Sequence, residues 1–211
     1  MERAGAPALR PCTAADAAVA VPLIHASGPA ALRYVFAPRT EGQALAFLHA
    51  AFADGAGEFG FRNHLALERD GTVLGMAALW DGRSNAAFTA AAVRQIVGFY
   101  RAAAPGVLWR GLRFERVVRP AQREVAYIGH VAVREELRGQ GVGRSLLEHL
   151  LVRARGAGYR RAGLDVAASN PRARTLYEAM GFTVRATRRS TLADRTGRVP
   201  DHHYMEVGLQ V

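Results

Sequence analysis

The sequence predicts an α/β protein built on one mixed sheet. Strand-like and helical segments alternate through its second half. In the first half, two apolar runs are joined by Arg69-Asp70-Gly71-Thr72, a hairpin signal. No repeat, low-complexity linker or compositional break divides the 211 residues, half of which are apolar. One domain over residues 1–211 is therefore expected, with a sizeable core.

In chain order, residues 8–12 read as a first strand. Thr13 is placed to cap a helix over residues 14–27, with Asp16 in its first turn. Pro22 should kink or split that helix. Residues 29–36 and 42–53 read as short helices, the second carrying Leu45, Leu48 and Phe52 at helical spacing. The hairpin strands span residues 64–68 and 73–80. Over residues 83–121, Phe88, Ala92, Ile96, Phe99, Tyr100 and Ala103 line one side of a helix that Pro105-Gly106 should end. An irregular, arginine-rich connection is expected after it. Residues 124–133 form an apolar run suited to a strand buried on both faces. A helix (143–155), a strand (161–168), a helix (171–180) and two strands (182–191 and 202–209) complete the chain.

Composition excludes several chemistries. The net charge is +10, and all 28 basic residues are arginine. Without lysine there is no Schiff-base nucleophile and no GK[ST] P-loop. Cys12 is the one cysteine, which rules out an internal disulfide and a CxxC metal site; beside Pro11 it reads as a small core residue. The adjacent pair His202-His203 would point to opposite faces of a strand, so no metal site is expected. No stretch is apolar enough to span a bilayer. The opening Met1-Glu2-Arg3-Ala4-Gly5 lacks the pattern of a secretory signal, so a cytoplasmic protein without a membrane partner is expected. The arginines are scattered and not interleaved with aromatics, which argues against nucleic acid as the partner.

Two stretches carry the chemistry. In the first, Val131-Ala132-Val133 leads into Arg138-Gly139-Gln140-Gly141-Val142-Gly143-Arg144, a glycine-rich turn that opens a helix. A helix start offers free N–H groups and a positive dipole end, and glycines let a phosphate approach the backbone. A pyrophosphate is the natural ligand for such a turn. The spacing is GxGxG, with Arg144 where a dinucleotide fingerprint wants glycine, and the turn comes late in the chain. The second stretch runs from Asn170-Pro171 to Gly181-Phe182, with Asn170 suited to the N-cap, Pro171 to the first helical position and Gly181 to the C′ position. Taken alone, Tyr177 between them reads as a core aromatic beside Leu176.

Together, the R-x-x-G-x-G turn and the later N-x-x-A-x-x-L-Y-E-x-x-G-F resemble the GNAT superfamily of acetyltransferases over residues 123–185. That resemblance implies a central, mostly antiparallel sheet of about seven strands flanked by helices, with two central strands splayed. It implies acetyl-CoA as co-substrate, held by the main chain of Val131 and Val133, by the amides of Arg138 through Arg144 and by the side chain of Asn170. Arg172 or Arg174 would approach the phosphates. It also implies direct attack by an amine on the thioester, with the Val133 amide stabilising the oxyanion and Tyr177 lining the cofactor site as the acid for the thiolate. A phenol with pKa near about 10 is protonated at neutral pH and can serve in that role.

By the same resemblance, Glu124 and Tyr127 lie where related enzymes place a base or a water-holding group, and Glu124 is the candidate base, acting directly or through water; His130 is adjacent on the same strand. Strand alternation sends His130 to the face opposite Val131 and Val133. The acceptor, a small-molecule or peptide amine, should meet the early helices and the 83–121 segment, where Arg110, Arg113, Arg116, Arg119, Trp80 and Trp109 are candidates. A homodimer paired through an edge strand is compatible with this reading. The alternatives are a non-catalytic acyl-CoA-binding module and a basic nucleic-acid-binding protein.

Overall fold

The computed structural model describes residues 5–40, 42–195 and 197–209. Most of the opening Met1-Glu2-Arg3-Ala4-Gly5 thus lies outside the described residues. Seven strands form one sheet: β1 (Ala8–Pro11), β2 (His64–Arg69), β3 (Thr72–Trp80), β4 (Ala126–Val133), β5 (Arg161–Ala167), β6 (Thr183–Arg188) and β9 (His202–Gly208), in the order β1-β2-β3-β4-β5-β9-β6. Every neighbouring pair is antiparallel except β4–β5, which is parallel. Two-residue strands β7 (Ala193–Asp194) and β8 (Gly197–Arg198) pair separately.

The sheet separates two cores. On one face lie α1 (Ala17–Ser27), α2 (Pro29–Phe36), α3 (Gly42–Asp54), α4 (Asn85–Tyr100) and α5 (Ala104–Phe114), packed around Ile24, Phe47, Leu48, Phe52 and Val107. On the other lie α6 (Val142–Gly156) and α7 (Pro171–Ala179), packed around Leu146, Leu147, Leu150, Leu164 and Met205. Cys12 is buried in the first core. Among the described residues, no single helix is long and apolar enough to cross a membrane.

The N-terminal cap forms as its residue types dictate: the Thr13 amide donates to Asp16 Oδ2 at 2.7 Å. Pro22 does not split the helix. The chain runs as a 3-10 turn over Ala14–Asp16, continues as α1 through Pro22, and bends by 101° at the Gly28 break before α2. Pro105 likewise does not terminate structure. It sits in the first turn of α5, where a missing N–H costs nothing, so an ordered helix replaces the irregular connection expected after residue 106. The expected face of α4 is buried at Ile96 and Tyr100, while Phe99 is partly exposed.

Strand β4 carries a defect that shapes everything around it. Met76 pairs with Ala132 and Ala78 with Gly129, so His130 and Val131 together oppose Ala77. His130 takes φ +54°, the left-handed conformation of a bulge. Beside it, Gly129 has no space for a side chain, because a β-carbon there would collide with the Trp80 indole. Gly129→Ala is expected to cost about 2 kcal/mol through overpacking. In a thermal melt this should lower Tm by roughly 4–8 °C.

Candidate active site

The cleft arises where two adjacent strands part. Strands β4 and β5 pair only at Ala126↔Ala162 and Tyr127↔Gly163, although both run on beyond that point. Past the fork, Tyr127 reaches across it: its hydroxyl donates to Asp165 Oδ2 at 3.0 Å, and Arg188 donates to the other carboxylate oxygen at 2.9 Å. The parting leaves one edge of β4 open. The Arg134 amide donates to the Leu74 carbonyl across the β3 side. By alternation, the main-chain groups of Val131 and Val133 therefore face the open edge.

At the end of β4, a 3-10 turn over Glu135–Leu137 leads into the glycine turn. Gly139 and Gly141 take φ +86° and +81°, values that favour glycine. α6 begins at Val142, so the amides of its first turn lack partners within the helix. A β-carbon on Gly141 would meet nothing within 4 Å, which leaves open space before those donors. Arg138, Arg144 and Arg172 all line the cleft there, with Arg172 Nη2 lying over Gly139. This donor set fits a pyrophosphate. Gln140 and Val142 offer only main chain: the Gln140 side chain donates back to the Glu136 carbonyl, and that of Val142 is buried. Arg174 pairs with Glu178 at 2.8 Å and does not line the cleft.

Helix α7 forms the far wall. Asn170 caps it by accepting from the Ala173 amide at 3.1 Å, and Pro171 opens it. At its other end, the Gly181 amide donates to the Glu178 carbonyl and the Phe182 amide to that of Tyr177, both at 3.0 Å. This Schellman turn, with Gly181 at φ +87°, sets the Phe182 ring 6.0 Å from that of Tyr177. Tyr177 is held buried while still lining the cleft, and burial pushes its hydroxyl up to about 12. It keeps its proton throughout the neutral range.

The structure does not bring Glu124 to this place. It lies exposed in the turn ahead of β4, because the Gln122 carbonyl accepts from the Gly82 and Val125 amides and delays the strand to Ala126. Trp80 and Arg119 line the cleft, whereas Trp109 is exposed on α5 and does not. His202 lines the cleft from β9 while His203 bonds Thr187, so the pair diverges as strand geometry requires. Among the described residues, no group of three or more metal-ligating side chains forms.

The cleft encloses about 770 Å³ and continues from the glycine turn to the layer of α1–α5. There the structure assembles a cluster that local sequence patterns did not reveal. His130 does point away from Val131 and Val133, and that face is the wall of the cleft's second half. Its ring lies nearly parallel to those of Phe59 and His64, with centroids 5.1 and 5.2 Å away. Its Nδ1 is 3.1 Å from His64 Nε2, and its Nε2 is 3.4 Å from Glu58 Oε1. His64 is fully buried, and that burial, followed by the neighbouring His130, pushes it down to about 3.

The depressed value has a direct consequence for stability. An unfolded histidine takes its proton near about pH 6.5, whereas folded His64 refuses it until about 3. Its contribution is therefore whole above about pH 6.5 and is lost progressively as the pH falls through that window. Melts of the wild type between pH 7 and pH 4.5 should lose Tm more steeply than those of His64→Gln. Parallel slopes would rule out this role for His64.

The comparisons agree with this geometry. The model of the "Acetyltransferase (GNAT) family" matches residues 31–182. The alanine N-acetyltransferase of ribosomal protein bS18 from Escherichia coli is 38% identical over 73 residues, covering 35% of this chain and 49% of the relative. The chain thus spans about half the length of the curated relatives it matches. An N-acetyltransferase of Staphylococcus aureus superposes with a TM-score of 0.65 at 15% identity, over 95% of this chain and 100% of the other. YncA of Salmonella typhimurium, solved with its cofactor acetyl-CoA, superposes with a TM-score of 0.55 at 22% identity, over 98% and 96%. With the family's pattern matched across well over half of its length, the chain belongs to the GNAT acetyltransferase family.

Proposed function

We propose that this chain is an N-acetyltransferase that moves an acetyl group from acetyl-CoA to a primary amine by direct attack within a ternary complex. The observation that carries the reading is the fork between β4 and β5. It has an open strand edge along one side, an arginine-ringed helix start at one end and the buried Tyr177 hydroxyl on its wall. Named relatives support it: the Escherichia coli protein is an N-acetyltransferase, and YncA was solved with acetyl-CoA.

Each residue then has a physical task. The main chain of Val131 and Val133 offers strand-like hydrogen bonds to a pantetheine arm. The first-turn amides of α6, with Arg138, Arg144 and Arg172, neutralise a pyrophosphate. Asn170 spends its side-chain oxygen on the cap, which leaves its amide N–H groups for the arm. The Val133 amide is the oxyanion donor. Tyr177 holds its proton until a thiolate leaves and then donates it. Bound acetyl-CoA supplies the activated thioester carbon.

Calorimetric titration with acetyl-CoA should give saturable binding. Gly141→Glu should abolish it, because the new carboxylate occupies the open space before the helix start. The left-handed backbone at Gly141 adds about 1–3 kcal/mol of strain, so melts must confirm that the variant remains folded. A folded wild type that binds no acetyl-CoA would refute the assignment. Tyr177→Phe should keep binding within threefold and lower kcat by about a hundredfold, measured as thiol release.

A further inference from the structure

The cleft's second half contains a hydrogen-bonded pair of histidines beside a carboxylate. The Gly60 carbonyl lies 2.9 Å from His64 Nδ1 and can only accept, so Nδ1 carries the hydrogen. Burial keeps His64 neutral, which leaves its Nε2 as a bare acceptor. The contact at 3.1 Å therefore requires His130 Nδ1 to be the donor. A neutral His130 then presents its lone pair on Nε2, at the side where Glu58 stands 3.4 Å away. A lone pair facing a carboxylate is unfavourable until a proton or a cationic N–H comes between them. Stacking on Phe59 and the bond to His64 hold the ring in that orientation, and Trp80 flanks it at 5.8 Å.

Charge and apolar surface are also divided along the cleft. The glycine-turn end carries Arg138, Arg144 and Arg172; the lining beyond it has the carboxylates of Glu58 and Glu115, with Arg119 as its one guanidinium among the described residues. Glu115 is raised by burial and then by Glu58, as expected for two acids close together on an apolar wall. Around them, Leu32, Val35, Phe36, Phe47, Ile96 and Phe114 line the chamber from α2, α3, α4 and α5. The whole cleft, about 770 Å³, must also hold the acyl arm, so the remaining space suits a compact body.

We infer that Glu58 and His130 form the ammonium site of the acceptor, that His130 Nε2 removes its proton, and that the chamber takes a primary amine carried on a small apolar body. This inference rests on the acetyltransferase reading. The ammonium docks on Glu58 and gives one proton to His130 Nε2; the resulting imidazolium donates through Nδ1 to His64 and through Nε2 to Glu58. The freed nitrogen lone pair forms the C–N bond to the thioester carbon, and the C–S bond breaks. The sulfur leaves with the Tyr177 proton, the amide nitrogen gives up its surplus proton to restore that phenol, and the imidazolium proton passes to water. His130 is thus a catalytic residue, and His64 a positioning residue acting through it.

The test uses the full chain, calorimetry with acetyl-CoA, and thiol release with 2-phenylethylamine, spermidine, ethanolamine and an alanine-starting hexapeptide. We expect kcat/KM for 2-phenylethylamine to exceed the others at least tenfold. His130→Gly and His130→Asn both tolerate the left-handed backbone. Each should bind acetyl-CoA within threefold of wild type and lose about 10²–10³-fold in kcat. Added imidazole should restore part of the rate in His130→Gly. Glu58→Gln should raise KM for the amine about tenfold. His64→Phe should lower kcat with KM unchanged. Wild-type kcat in both His130 variants would overturn the base assignment. Preference for a polar amine or the peptide, or no turnover of any of the four amines, would overturn the apolar acceptor. A wild type that binds no acetyl-CoA would overturn the transferase reading itself, and this inference with it.

Discussion

The structure depends on a conflict between two strands. β4 must pair with β3 along its length, yet it matches β5 at only two residue pairs before they diverge. A buried strand edge without partners is costly, since each lost hydrogen bond leaves a desolvated group behind. The fold tolerates this edge because it opens into a cleft. The bulge at His130 sits on the same strand, just past the fork, and increases its local twist. Tyr127, Asp165 and Arg188 bridge the two strands where they separate. The opening is therefore a built feature of the sheet, held from both sides.

The bulge also changes which layer each side chain of β4 reaches. Ala126 and Ile128 join the core under α6, and so do Val131 and Val133, although strict alternation from 128 would send 131 to the other side. One extra residue therefore lets β4 keep an apolar underside along its whole length. It also turns His130 toward α1–α5. The same irregularity serves packing below the sheet and sets His130 in the cleft wall above it.

These facts explain which parts were legible in the sequence. The glycine turn and the Asn170–Phe182 helix were readable because caps, first-turn prolines and left-handed glycines act over a few residues. The structure reproduces both caps, bond for bond. The seven strands and their order along the chain were readable from apolar patterning. α5 was missed because Pro105 signals a helix start as well as a stop, and only the packing of Ala104 and Val107 decides between them. Glu124 was drawn to the cleft by its position in the family resemblance, without regard for the turn that holds it outside. The face of His130 was legible from its parity with Val131 and Val133, but its partnership with Glu58 and His64 was not. The trio is spread over more than seventy residues, and no local pattern joins its members.

The burial of Cys12 acquires a further meaning under the proposal that the cleft holds a thioester. Such compounds acylate any free amine or thiolate they encounter. This chain has no lysine, and its single thiol is buried and pushed up to about 12 by that burial. Its side chains therefore offer an activated acyl group almost no competing nucleophile. The molecule is nearly inert toward self-modification by the reagent it would hold, and toward mixed-disulfide capture by a departing thiol. Such chemical self-protection comes from what the sequence omits and the core conceals.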